Sequence, residues 1–379
     1  MPPFHVMEVM RAAEARAAAG GEVLHLEVGQ PSTPAPAAVR EAGARALRDE
    51  TLGYTTATGL PALRGRIADW HLASQGVAVD PDRIVVTAGA SGGFVLTFLT
   101  AFAPGDRVVV TAPGYPCYRN TLEALGIEVV VVELDPDRGY ALTPDLLEAH
   151  AAAAGLVVAS PANPTGTMLG AEDLGAVADW CARNDVLLVA DEIYHGIDYG
   201  TTPAPAWGLP CRTVVLNSFS KYFSMTGWRI GWMVVPDDFV RSVERAAQNL
   251  YICAPVLSQY AACAAFDATE ELDGHVRRYA RNRSILLDGL HAAGLDRHAP
   301  ADGAFYVYVD VTELGLPSGT LCTRWLDELG VATTPGIDFD ARRGDGTIRC
   351  SFAGSTEEIT EATGRIRSWV AAHGREPGR

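Results

Sequence analysis

Thirty lysine and arginine residues occur in this 379-residue chain, and twenty-nine of them are arginine. A guanidinium replaces an ammonium wherever only a solvated charge is wanted, but it neither deprotonates nor forms an imine. The one lysine that remains, Lys221, is therefore the first candidate for amine chemistry. Its neighbours suit that role. Asn217-Ser218-Phe219-Ser220-Lys221 is followed by Thr226-Gly227-Trp228-Arg229, which places hydroxyls, the lysine and an arginine within twelve positions. Such a set can hold a fixed anion beside a reactive amine. Asp191-Glu192-Ile193-Tyr194 closes an apolar run, where a carboxylate is costly unless it meets a cationic group such as a metal, a substrate amine or a protonated ring nitrogen. Ala88-Gly89-Ala90-Ser91-Gly92-Gly93 follows another apolar run. Small residues and free N–H groups at a helix start attract phosphate, although the spacing is not that of the dinucleotide fingerprint. Pro161-Ala162-Asn163-Pro164-Thr165-Gly166 reads as a turn, and His195 as a satisfied or solvent-facing histidine.

Short β-branched runs must position these groups. Ile84–Thr87, Val108–Thr111, Val129–Val132, Val157–Ser160, Val186–Ala190, Val214–Leu216 and Ile230–Val234 are continuous apolar stretches, as expected of strands buried on both faces. Helical candidates lie between them: Leu60–Gln75, Gly92–Phe102, Asn120–Leu125, Leu142–Ala152 and Ala171–Asn184. Strand alternating with helix predicts an α/β fold, a mostly parallel seven-stranded sheet sandwiched by helices. In open sheets of that kind ligands sit beyond the carboxyl ends of the strands, where the polar motifs fall. After about Asp238 the pattern turns to long helices. Strands at Ala304–Asp310 and Thr347–Phe352, with helices near Leu321–Leu329 and from Thr356, then suggest a smaller α+β domain.

Composition narrows the partners. A net charge of −16 argues against a nucleic-acid groove. No apolar run reaches the roughly 18–20 residues of a membrane helix, and the amino terminus lacks the pattern of a leader. Seven cysteines without close pairs read as reduced thiols in a cytoplasm.

Taken in order, from Leu26-Glu27-Val28-Gly29-Gln30-Pro31 through the Asn-Pro-Thr-Gly, Asp-Glu-Ile-Tyr and Ser-Phe-Ser-Lys segments to Ile348-Arg349-Cys350-Ser351, the chain resembles the class I/II pyridoxal-phosphate-dependent aminotransferases. These are built on the aspartate-aminotransferase fold, fold type I. The resemblance implies a large cofactor-binding domain over 40–280 and a small domain from 1–39 plus 281–379. It implies pyridoxal 5′-phosphate held by Lys221 as a Schiff base, with Lys221 then shuttling the substrate α-proton. Asp191 would pair with the ring nitrogen, Asn163 and Tyr194 with the phenolate oxygen, and Tyr115 would stack on the ring. Ser218, Ser220, Arg229 and the backbone of Gly89, Ala90 and Ser91 would bind the phosphate. Arg349 would clamp the substrate α-carboxylate, with Asn163 and the backbone of Gly29 beside it. No metal is implied. The expected reaction moves an α-amino group between an amino acid and a 2-oxo acid; the alternative on the same fold is β- or γ-elimination, replacement or cyclisation. A homodimer with shared sites is expected as well, because Tyr54 stands where the family's tyrosine crosses to the neighbour's phosphate. One departure is Asp340 after Phe339, where the family often has glycine.

Overall fold

The computed structural model describes residues 4–373. A helix α1 (His5–Ala18) leads into a two-residue strand β1 (Leu24–His25), and α2 (Ala37–Asp49) and α3 (Pro61–Gln75) precede the main sheet. That sheet holds β2 (Ile84–Thr87), β3 (Arg107–Ala112), β4 (Glu128–Glu133), β5 (Gly155–Ala159), β6 (Leu187–Asp191), β7 (Thr213–Ser218) and β8 (Gly231–Val234), in the order β2-β8-β7-β6-β5-β3-β4. Pairing is parallel from β4 through β7, and β8 runs antiparallel to both β7 and β2. The expected mostly parallel seven-stranded sheet is therefore present.

Alternation along each strand feeds two cores. Val109, Leu156, Leu188 and Val215 face α3 (Leu63, Ile67), α6 (Ala171–Arg183; Val177, Trp180) and α8 (Val256–Cys263; Ala261). Their neighbours Val108, Val157, Val189 and Leu216 face α4 (Gly89–Ala101; Phe94, Phe98), α5 (Pro116–Ala124; Leu122) and α7 (Asp237–Leu250; Val243). A period of two with both faces covered is why these strands read as unbroken apolar runs.

A third core joins α9 (Thr269–Ala292), β9 (Tyr306–Asp310), α10 (Ser318–Arg324), β12 (Thr347–Ser351) and α11 (Thr356–His373) through Tyr279, Leu286, Tyr306, Leu321, Ile348, Ile359 and Ile366. Here β10 (Val331–Ala332) pairs with β1, and β11 (Thr334–Pro335) with β12 in the antiparallel order β11-β12-β9.

Two sequence expectations fail. Val129–Val132 is not buried on both faces: β4 is the sheet edge and Val131 is 44% exposed. Leu142–Ala152 is not an α-helix but two 3₁₀ turns, Pro144–Leu146 and Glu148–His150, with hydrogen bonds of the i→i+3 kind such as Leu147 N to Pro144 O at 2.9 Å. Its buried core residues, Leu142 and Leu147, are five apart, a spacing that does not keep to one face of a 3.6-residue helix, and Leu146 packs partly buried against the same core.

Candidate active site

Because β8 is antiparallel to both neighbours, β2 points the same way as β3, β4, β5, β6 and β7. Six carboxyl ends therefore open on one side, and a cavity of about 580 Å³ lies there. β5 delivers Asn163, β6 delivers Asp191 and Tyr194, β7 delivers Ser218, Ser220 and Lys221, and the β2–α4 junction delivers Ala90 and Ser91. Tyr115, Arg229, Gly29 and Arg349 complete the same wall.

Lys221 projects into the middle. Its Nζ donates to Gly29 O at 2.6 Å and lies 5.5 Å from the centre of the Tyr194 ring. Burial, with the charge of Arg349 behind it, lowers the ammonium pKa to about 8 although Asp191 opposes the shift. The amine is thus easier to neutralise than an ordinary lysine. Gly29 has no room for a side chain: a Cβ there would sit 1.9 Å from Tyr306 Oη. Tyr306 in turn shares a 2.7 Å hydroxyl contact with Tyr194.

Asp191 closes the floor. Tyr118 Oη donates to its Oδ2, and Ile193 N donates to Oδ1 at 3.1 Å. Burial raises the carboxyl pKa to about 6, while the Tyr118 and Ile193 bonds and the charge of Lys221 hold it down. A carboxylate left with that much desolvation is poised for a cationic partner.

The opposite end suits an anion. Gly89 opens α4 with φ 72°, and a Cβ there would lie 2.4 Å from Arg229 Nη2. Arg229 itself sits at φ 52°, steadied by its Nη1 donating to Thr226 O at 2.9 Å. Ser220 N donates to Ser218 Oγ at 3.0 Å, and Thr226 Oγ1 to Ser220 O at 2.8 Å. Beneath them Asn217 Nδ2 is buried with no partner. The first turn of α4, two serine hydroxyls and an exposed guanidinium form an anion cradle.

Arg349 is held at both terminal nitrogens. Nη1 donates to Asn163 Oδ1 at 3.0 Å, and Nη2 to Glu27 O at 2.5 Å and Thr334 Oγ1 at 3.3 Å. The guanidinium lies 4.4 Å from the Tyr306 ring centre and 4.8 Å from that of Phe339. Its buried Nε has no partner. A planar cation fixed between two rings is preorganised for a carboxylate.

Two expected site residues stand apart. Gly89 supports Arg229 rather than lining the cavity, and Tyr54 lies outside it, 82% exposed on the surface. His195 is buried and satisfied, its Nε2 3.0 Å from Ser160 O and its Nδ1 2.6 Å from Gln75 Nε2. Asp340 is no defect in its loop: it accepts from Arg342 N at 2.9 Å, Arg343 N at 3.0 Å and Arg343 Nε at 3.0 Å. Tyr118 and Tyr306 also line the cavity, outside the motifs that the sequence marks. Tyr118 was legible, lying three residues past Tyr115 on the first turn of α5 and so on the same face. Nothing local singles out Tyr306 from Tyr308.

A family model for aminotransferase class I and II matches residues 21–366. The chain belongs to the class I and II aminotransferases. It is 50% identical, over 98% of its length and 97% of the relative's, to a valine–pyruvate aminotransferase of Mycobacterium tuberculosis. The crystal structure of an aminotransferase from Mycobacterium tuberculosis superposes with a TM-score of 0.95 at 50% identity, covering 98% of this chain and 97% of that one. Aspartate aminotransferase from Thermus thermophilus with maleate gives a TM-score of 0.91 at 31% identity, with 97% of both chains covered. This aminotransferase transfers amino groups on the aspartate-aminotransferase fold. Among its described residues no helix is long and apolar enough to cross a membrane, and its seven cysteines are free thiols.

Proposed function

We propose that this aminotransferase uses pyridoxal 5′-phosphate to exchange an α-amino group between an aliphatic amino acid, valine included, and a 2-oxo acid such as pyruvate. The observation that carries the reading is the sole lysine, with a lowered pKa, in the middle of the cavity. The residues fit the cofactor at both ends. A desolvated carboxylate, Asp191, waits for a protonated ring nitrogen, and the cradle of α4, Ser218, Ser220 and Arg229 waits for a dianionic phosphate. Asn163, Tyr194 and Tyr115 would hold the ring's oxygen edge and face between them. When bound, the cofactor supplies an electrophilic carbonyl carbon and an electron sink for the carbanion at the substrate Cα.

This chain's own groups do the rest. Lys221 would hold the cofactor covalently through Nζ; once displaced by the substrate amine, its neutral Nζ would take the α-proton and return it to the cofactor's former carbonyl carbon, two bonds from Cα. Arg349 would receive the α-carboxylate through its fork, trading Glu27 O or Asn163 Oδ1 for substrate oxygens. Valine and pyruvate are the substrates in the name of the 50% identical relative, which supports the substrate class. The free cysteines support a cytoplasmic setting. Residues 40–280 are taken as the large domain, and 1–39 with 281–379 as the small one.

Holoenzyme mixed with valine and no acceptor tests the reaction. We expect one equivalent of 2-oxo acid per site and no ammonia. With serine or cysteine, which carry a group that can leave from Cβ, offered in a parallel reaction without acceptor, continuous ammonia release would establish the elimination alternative instead. For Arg349→Lys we expect KM to rise about tenfold to a hundredfold for every amino acid, since one lost charge-assisted hydrogen bond costs roughly 1.5–3 kcal/mol. A loss confined to one side-chain class would remove the carboxylate role. The exposure of Tyr54 supports a two-fold dimer in which it reaches the partner's phosphate site. Sedimentation at about twice the 40.2 kDa chain mass checks it, and an active monomer would refute it.

A further inference from the structure

The cavity has a wall that neither the cofactor set nor the carboxylate clamp uses. It comes from α1 and the residue before it: Phe4, Met7 and Met10 line the space, and Val28 continues the apolar surface. Ala13 and Val9 pack on Leu326 and Ala332, which fixes the rotation of the helix and turns Met7 and Met10 towards the cavity. Met7 is 49% exposed while lining it, and a flexible thioether at a cavity mouth can cover an aliphatic group. The basic side chains of the wall are Lys221, Arg229 and Arg349. All three already have a task, which leaves none among the described residues of this wall for a distal carboxylate.

The first turn of α1 carries no cap of its own, because Phe4 at its start makes no side-chain capping bond. The cap comes from far along the chain. His5 N donates to Asp338 Oδ1 at 2.9 Å and Val6 N to Oδ2 at 3.0 Å. Asp338 is 3% exposed, and its carboxylate both fills orphan donors and complements the positive helix end. The next residue, Phe339, places its ring 4.8 Å from the Arg349 guanidinium. Two adjacent residues thus set the position of the apolar wall relative to the carboxylate clamp.

We propose that Asp338 is a positioning residue for substrate choice: it holds α1 so that Phe4, Met7 and Met10 form the side-chain subsite for a branched aliphatic amino acid whose carboxylate is on Arg349. This rests on the transamination site proposed above. The test uses holoenzyme of wild type, Asp338→Ala, Asp338→Asn and Met7→Gln, with kcat and KM measured for valine and for alanine. In Asp338→Ala the valine-to-alanine ratio of kcat/KM should fall about tenfold or more, through KM, the scale that methyl groups in an apolar pocket command. Asp338→Asn keeps one acceptor and should lose less. Met7→Gln, a half-exposed substitution that spares the fold, should move the ratio the same way. Amide hydrogen exchange across His5–Ala18 should speed up in Asp338→Ala and stay unchanged in Met7→Gln. An unchanged ratio in both Asp338→Ala and Met7→Gln would overturn the proposal while leaving transamination intact. Wild-type enzyme inert towards both amino acids would overturn the site and this proposal with it.

Discussion

Lys221→Arg will still bind pyridoxal phosphate but will lose turnover by at least about 10²–10⁴-fold, the share that positioned proton transfer alone contributes. Arginine keeps the charge and much of the reach, so the anion cradle and Asp191 remain to hold the cofactor, but its guanidinium can neither attach covalently nor accept the α-proton. A dependence on pH accompanies this in the wild type. The folded-state pKa of Lys221 is lowered to about 8 from 10.5, so the attacking neutral amine accumulates as pH rises through about 8, not through the ordinary lysine range. Covalent capture of added cofactor by apoenzyme should therefore accelerate up to about pH 8 and level off above it. The measurements are steady-state turnover of the variant and stopped-flow absorbance of the wild type. Normal turnover in Lys221→Arg would remove the lysine from the mechanism.

Asp191→Asn is the second large effect. A neutral amide does not keep a proton on the pyridine nitrogen, and breaking a buried charge pair costs about 3–5 kcal/mol, or roughly 150- to 5,000-fold in rate. The cost should fall on kcat with every amino acid. Stability of the apoenzyme should move the other way. Burial raises the Asp191 carboxyl pKa to about 6, above its unfolded value, so the folded apoenzyme binds the extra proton and is favoured as pH falls from about 6 towards 4. At neutral pH its ionised form is a liability. Apo Asp191→Asn should accordingly melt no lower than apo wild type at pH 7, and the two curves should converge as the medium is acidified. An Asp191→Asn enzyme with undiminished kcat would contradict the role.

Much of the fold and of the site is legible in the sequence. Six of the seven strands are legible because a sheet covered on both faces demands unbroken apolar runs, the edge strand β4 reads the same although it is not so covered, and the order of motifs along the strands tells where the polar ends gather. What stayed hidden depends on contacts between distant segments. Val131 reads like Val109, yet strand order puts one at the edge and the other in the core. Pro144 sits at the first turn of a segment whose leucines spaced five apart bend it into 3₁₀ geometry, and only the core they meet decides that. In the site, Lys221 was conspicuous by being alone, whereas Tyr306 and Asp338 look ordinary in sequence. Their roles come from Gly29, Arg349 and the start of α1 lying against them in space.

The central claim, a cofactor joined to the reacting amine of Lys221, is tested most directly by borohydride reduction of the holoenzyme followed by peptide mass mapping. With one lysine in the chain the assignment is unambiguous. Lys221 should carry the reduced cofactor as an irreversible secondary amine in near-stoichiometric yield. A peptide containing Lys221 that keeps its unmodified mass, in enzyme shown to transaminate, would contradict the claim.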